Sequence, residues 1–158
     1  MIVQSGNDAA VVLAEGISGG EEAFAREMNR YAKILGMNNT YFTNATGWPH
    51  PDLKTTSRDL IILTRNIINN FPKLYELFNE KIFTYNNIKQ PNRNSLLWRD
   101  PSVDGIKTGS TSEAGYSLVS SAKRNEMRII SVVLGTASSK ARIDGSQALL
   151  NFGYLIMR

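Results

Sequence analysis

At 158 residues, with 42% hydrophobic and 20% charged side chains, the chain has the size and composition of one globular domain. It contains no cysteine and a single histidine, His50, wedged between Pro49 and Pro51. Disulfides, thiolate metal sites and cysteine nucleophiles are therefore excluded, and a Ser-His-Asp triad would rest on a residue that reads as an ordinary loop position. The net charge of +4 comes from basic residues interleaved with acids, without the basic stripe and stacking aromatics of a nucleic-acid binder. No apolar run approaches the ~18 residues of a membrane span, and Met1-Ile2-Val3-Gln4-Ser5-Gly6 shows no signal-peptide pattern.

In chain order, the Ala-rich run from Asp8 to Leu13 reads as a short buried helix capped by Asn7 or Asp8. Ser18-Gly19-Gly20-Glu21 has the spacing of a capping box, and the helix it opens carries Phe24, Met28, Tyr31 and Leu35 on one face before Gly36 stops it. Asn38 to Pro51 reads as an irregular loop with an extended piece around Thr40 to Phe42. A helix follows from Ser57 to Asn69-Asn70, with Leu60, Ile61, Leu63, Thr64, Ile67 and Ile68 on its apolar face, and Pro72 opens a shorter one through Phe78. Lys81 to Tyr85, a turn at Asn86-Asn87 and Ile88 form a small hairpin. The β-rich runs Gly115 to Lys123 and Arg128 to Gly135, with the strand before them, predict a three-stranded antiparallel meander. Ala141 to Tyr154 closes the chain as an amphipathic helix offering Ile143, Leu149, Leu150 and Phe152 to one sheet face. This order places the chain in the α+β class, one domain over 1–158 with a helical region at about 8–100 and a sheet region at about 101–158.

Two short motifs carry the chemistry, Ser5-Gly6-Asn7 and Lys107-Thr108-Gly109, the second on a strand just before a hairpin. Converging, they support acyl transfer on a peptide or β-lactam carbonyl. A lysine beside a serine hydroxyl stabilises the developing alkoxide or moves a proton, which lets a serine enzyme work without histidine. Thr108 offers a hydroxyl, and Gly109 a bare backbone along which a peptide can add as an extra strand. Asn7 can bind a substrate amide through its donor and its acceptor, and Arg142, early in the last helix, can hold a carboxylate in its fork of donors. The reading calls for no cofactor and no metal.

Met1 to Ala9, Asn44-Ala45-Thr46-Gly47, Asn92 to Leu97, Val103 to Gly109 and Ala114-Gly115-Tyr116, five blocks in order, resemble the low-molecular-mass penicillin-binding proteins, in particular the serine D-alanyl-D-alanine carboxypeptidases. The resemblance runs from Met1 to about Tyr154. It implies the β-lactamase and penicillin-binding-protein fold, in which a helical region and an antiparallel sheet enclose a groove. The implied reaction removes the terminal D-alanine of peptidoglycan stem peptides outside the cytoplasmic membrane, with β-lactams as competing ligands. Carried over, Ser5 and Asn7 match the Ser-x-Asn motif, the serine relaying a proton to the leaving amine and the asparagine holding the substrate amide. Lys107 sets the electrostatics, Thr108 binds the substrate carboxylate together with Arg142, and Gly109 completes the triplet. The Ser110 N–H is one of two oxyanion donors. Lys54 stands where relatives often carry histidine.

The Ser-x-x-Lys motif that supplies the acylated serine has no helical counterpart. Ser120-Ser121-Ala122-Lys123 has the letters, but in a strand-like run its ends point to opposite faces. The chain is therefore expected to be the C-terminal part of a catalytic domain, either a shortened reading frame or a fragment, and unable to acylate alone. Its fold is expected to be incomplete, with the inner faces of Tyr116 to Ala122 and Ile129 to Leu134 exposed and covered by self-association or a separate N-terminal piece. A non-catalytic binding module that keeps the carboxylate groove is the alternative reading. A class A β-lactamase ranks third, because the Glu-x-x-x-Asn loop of that family has no counterpart after Asn38.

Overall fold

The structure is a computed structural model that describes residues 1–157. Helix α1 (Asn7–Ser18) buries Ala10 and Ala14, one turn apart, and leaves Val12, Leu13 and Ile17 exposed. Its N-cap is Gly6, not Asn7 or Asp8: Asn7 is the first helical residue, and the Asp8 carboxylate accepts from the adjacent Ala9 N–H instead of a third-residue amide. Gly19 ends the helix in the left-handed region (φ 76°), where the absence of a Cβ removes the steric cost. The expected capping box does not form. Ser18 belongs to α1, Gly20 caps α2 (Glu21–Leu35) without a side chain, and Glu21 accepts from the Ala45 N–H. The buried line of α2 is Ala25 and Ala32, with Phe24, Met28 and Leu35 half-buried beside it. Tyr31 instead faces solvent under the Arg30 guanidinium.

Helix α3 (Ser57–Asn70) is capped by Thr56, whose hydroxyl accepts from the Asp59 N–H. The Asp59 carboxylate is 1% exposed and accepts from the Asn39 N–H (2.8 Å) and the Thr40 hydroxyl (2.7 Å), welding the loop to the helix. Asp59→Ala removes the loop's two hydrogen bonds to the helix and leaves the Thr40 hydroxyl only its Thr55 partner (2.9 Å), so urea unfolding is expected to show a loss of about 1–2 kcal/mol. Wild-type stability in that variant would sink the account.

The helix expected from Pro72 is two pieces, α4 (Pro72–Tyr75) and a 3₁₀ turn (Glu76–Asn79). Strands β1 (Ile82–Tyr85) and β2 (Ile88–Pro91) form the expected hairpin, with Asn86 and Asn87 both at positive φ as a twist-compatible two-residue turn requires. A short helix, α5 (Leu96–Arg99), was not anticipated and sends Leu96 and Leu97 into the core.

Strands β3 (Val103–Thr111), β4 (Gly115–Arg124) and β5 (Met127–Thr136) make the antiparallel meander in that order, with Lys107 opposite Val119 and Gly109 opposite Ser117. Helix α6 (Ser139–Ile156), capped by the Ser138 hydroxyl, lies on one face of the sheet. It buries Ile143, Leu150 and Tyr154 against Leu118 and Ala122, and the Tyr154 hydroxyl donates to the Ala122 carbonyl (2.6 Å). Leu149 and Phe152, expected on that face, point outward. Helix α3 packs on β5 and the 3₁₀ turn on β3. The consecutive residues Ser120, Ser121 and Ala122 are all fully buried, so both faces of the central strand are covered over that stretch. The expected exposure of the strand faces is therefore confined to one end of the sheet, where Tyr116 (38%) and Leu134 (40%) are exposed. Large apolar side chains are also exposed on α1, on the outer side of α6 at Phe152, Leu155 and Ile156, and along the β1–β2 hairpin at Ile82, Phe83, Tyr85 and Ile88.

Candidate active site

Lys107 and Ser5, 102 positions apart, meet: the Lys107 ammonium donates to the Ser5 hydroxyl and to the Thr108 carbonyl (2.9 Å). Lys107 is half-buried on the edge strand β3, and Ser5 lies in the turn leading into α1. Burial first, then the positive charges of Arg93 and Arg142, lower the Lys107 pKa to about 8. Ser5 has φ 58°, a left-handed conformation that costs a non-glycine residue ~1–2 kcal/mol, and its N–H is satisfied by the Met1 carbonyl (2.8 Å). Asn7 is exposed in the first turn of α1 beside it.

Along β3, Thr108 is buried, whereas Gly109 and Ser110 are exposed. A Cβ built on Gly109 would meet nothing within 4 Å, so the strand there faces open space. Arg142 reaches this point from α6. Its guanidinium donates to the Gly109 and Ser117 carbonyls and to the Ser139 hydroxyl, and sits against the Tyr116 ring. It is 5% exposed, its Nε has no partner among the described residues, and burial lowers its pKa. Among the described residues neither Lys107 nor Arg142 forms a salt bridge with a carboxylate. The groove thus combines a free strand edge, a hydroxyl held on an ammonium and converging cations, an arrangement suited to an extended anionic ligand.

The seven residues singled out from the sequence lie on three segments: Ser5 in the turn before α1 and Asn7 at its start, Lys107, Thr108, Gly109 and Ser110 on β3, and Arg142 on α6. Ser120, of the strand-borne Ser-x-x-Lys letters, is fully buried and bonded to Ser131, while Lys123 is exposed beside Glu126. His50 is an exposed loop residue whose Nδ1 accepts from the Asp52 N–H.

Sequence reasoning missed two supports. Asp104 takes both Arg128 guanidinium nitrogens (2.7 Å each) and the Tyr75 hydroxyl (2.6 Å), anchoring β3 three residues before Lys107. Burial and then that hydrogen bond push the Tyr75 phenol well above its ordinary pKa. Arg93 is the other, lying next to Ser5 in space and 88 positions away in the chain, with its Nε on the Gln4 carbonyl. Both stand inside blocks that carried the resemblance, and that was their only signal.

The D-alanyl-D-alanine carboxypeptidase family model matches residues 1–138. D-alanyl-D-alanine carboxypeptidase DacC of Escherichia coli is 46% identical over 155 residues, covering 98% of this chain and 39% of DacC. Penicillin binding protein 5 from Haemophilus influenzae superposes with a TM-score of 0.93 at 48% identity, over 98% of this chain and 45% of that one. Penicillin-binding protein D2 from Listeria monocytogenes, solved with cefotaxime bound, gives 0.90 at 34% identity, over 98% of this chain and 63% of that one. The chain therefore spans about two-fifths of the length of the curated relatives it matches. Its α+β fold is that of the penicillin-binding proteins, and the chain belongs to the D-alanyl-D-alanine carboxypeptidase family.

Proposed function

We propose that this chain carries the substrate-holding side of a serine-type D-alanyl-D-alanine carboxypeptidase site, which cleaves the terminal D-alanine from peptidoglycan stem peptides through an acyl-enzyme. The single observation that carries the reading is the Lys107–Ser5 contact at the open edge of β3. In the reaction, a nucleophilic serine adds to the penultimate carbonyl, and the amide bond breaks as the D-alanine nitrogen takes a proton relayed through Ser5. Lys107 supplies positive potential and orients that hydroxyl, and Asn7 holds the substrate amide. The substrate carboxylate sits on Thr108 and Arg142, with Gly109 leaving room for the peptide backbone. The Ser110 N–H is one oxyanion donor, a group whose loss typically costs ~3–4 kcal/mol of transition-state stabilisation.

In this reading the chain holds a peptide and does not acylate by itself. The burial of Ser120, and its position on a strand, favour a binding role for the chain alone. The exposed apolar side chains of α1 and outer α6 suit a covering partner, either a separate N-terminal piece or a second copy. The site of action is extracytoplasmic, where stem peptides lie. Among the described residues no helix is long and apolar enough to cross a membrane.

Incubation with a labelled penicillin followed by intact-mass measurement is expected to show no covalent adduct, and titration with an acyl-D-Ala-D-Ala peptide is expected to show reversible binding. A stable adduct would overturn the non-acylating part of the reading, and absence of peptide binding would overturn the site itself. Affinity is also expected to fall as pH rises through about 8, where Lys107 loses its proton and with it the charge that attracts the carboxylate. A flat profile from pH 6 to 10 would contradict the role given to Lys107.

A further inference from the structure

We propose that Arg93 is a positioning residue: bound to the Val3 and Gln4 carbonyls, it holds the turn before α1 so that the Ser5 hydroxyl faces Lys107. The Val3–Gln4 segment meets Pro91–Arg93 through three hydrogen bonds. The Arg93 N–H donates to the Val3 carbonyl (3.2 Å), Arg93 Nε to the Gln4 carbonyl (2.8 Å), and Gln4 Nε2 to the Pro91 carbonyl (2.5 Å). All three act on the two residues immediately before Ser5, whose left-handed backbone is one that serine seldom adopts without outside constraint. The internal bond from the Ser5 N–H to the Met1 carbonyl closes the turn but does not orient it toward β3.

The other end of the tether is itself fixed. Asn92 is buried, with its amide on the Glu80 carbonyl and its side-chain oxygen accepting from the Asn94 N–H. Asn94 is fully buried, accepts from the Leu96 N–H and donates to the Gly105 carbonyl, two residues before Lys107 on β3. A closed circuit therefore runs from Ser5 through Arg93 and Asn94 into β3 and along it to Lys107. Arg93 also acts on Lys107 directly, as one of two cations, with Arg142, that disfavour its protonated form. The role assigned to Arg93 rests on the proton-relay reading of Ser5 given above.

The test is the titration of Lys107 in the full chain, read by competitive acetylation with acetic anhydride across pH and peptide mapping, with no substrate present. The Ser5 hydroxyl favours the charged lysine by accepting from it, and the Arg93 charge disfavours it. Arg93→Ala is expected to raise the midpoint, because a neighbouring positive charge is lost. If Arg93 seats Ser5, that rise is smaller by about half a pH unit in the parent than in a Ser5→Ala background, because in the parent the hydroxyl contact is lost as well. Arg93→Lys keeps the charge and one donor for the Gln4 carbonyl, and is expected to return the midpoint to within about 0.2 unit of the parent. Equal rises in the two backgrounds, or an Arg93→Lys chain that behaves like Arg93→Ala, overturn the proposal. Peptide binding is measured separately, so failure of the substrate reading and failure of the tether give different results.

Discussion

Arg142→Met is expected to weaken binding of an acyl-D-Ala-D-Ala peptide by roughly 30- to 100-fold while leaving the stability of the fold within about 1 kcal/mol of the parent, on the stabilised side. The two effects have one cause. Arg142 is a buried guanidinium held by two strand carbonyls and a serine hydroxyl, and among the described residues it has no carboxylate partner and its Nε is unpaired. Such a charge pays desolvation without an ion pair in return, so an unbranched apolar side chain of similar length removes an unfavourable term from folding. In the proposed site the same guanidinium receives the ligand carboxylate, and a hydrogen bond to a charged partner contributes ~1.5–3 kcal/mol. Isothermal titration with the peptide and a thermal melt of the same sample check both halves. A melt several degrees lower with binding intact would show that Arg142 is structural and that the anion sits elsewhere.

Asp104→Ala is expected to cost about 2–3 kcal/mol in urea unfolding and to loosen the Lys107–Ser5 contact as well. The carboxylate satisfies both Arg128 nitrogens and the Tyr75 hydroxyl, linking β3 to β5 and α4. Removing it strands a half-buried guanidinium, the situation in which breaking an ion pair is most destabilising. The two side chains keep about a quarter of their surface (26% and 25% exposed), which places the cost below the 3–5 kcal/mol typical of a fully buried pair. Tyr75 also sits where a Cβ on Gly105 would come within 2.9 Å of its hydroxyl oxygen, so β3 approaches it too closely for any larger residue at that position. In Asp104→Ala/Arg128→Met no charge is left stranded, and part of the loss is expected to return. A single variant as stable as the parent, or a double variant worse than the sum of the two singles, would remove the anchor from the account of the site.

Secondary structure was legible wherever periodicity and turn chemistry agreed. The α3 and α6 spans, the Asn86-Asn87 hairpin and the three-strand meander needed only local patterns. Helix starts were less so. Ser18 and Glu21 have capping-box spacing, but Gly19 in the left-handed region ends α1 between them, and Glu21 is drawn to the Ala45 amide across the loop. The direction of the apolar faces was also hidden. Leu149 and Phe152 are as apolar as Leu150, yet only the placement of α6 over Leu118 and Ala122 decides which of them is buried.

The sequence by itself determined the α+β order, the residue types of the groove and the absence of any helical Ser-x-x-Lys, because composition, period and motif letters are local properties of the chain. Only the tertiary structure decided that Ser5 and Lys107 touch, that β4 is buried on both faces at Ser120 to Ala122, and that Arg93 bonds the segment before Ser5 and Asp104 joins β3 to β5. Each of those facts joins segments far apart in the chain, and each depends on burial, which changes what a charge or a hydroxyl does and is not encoded in any one stretch.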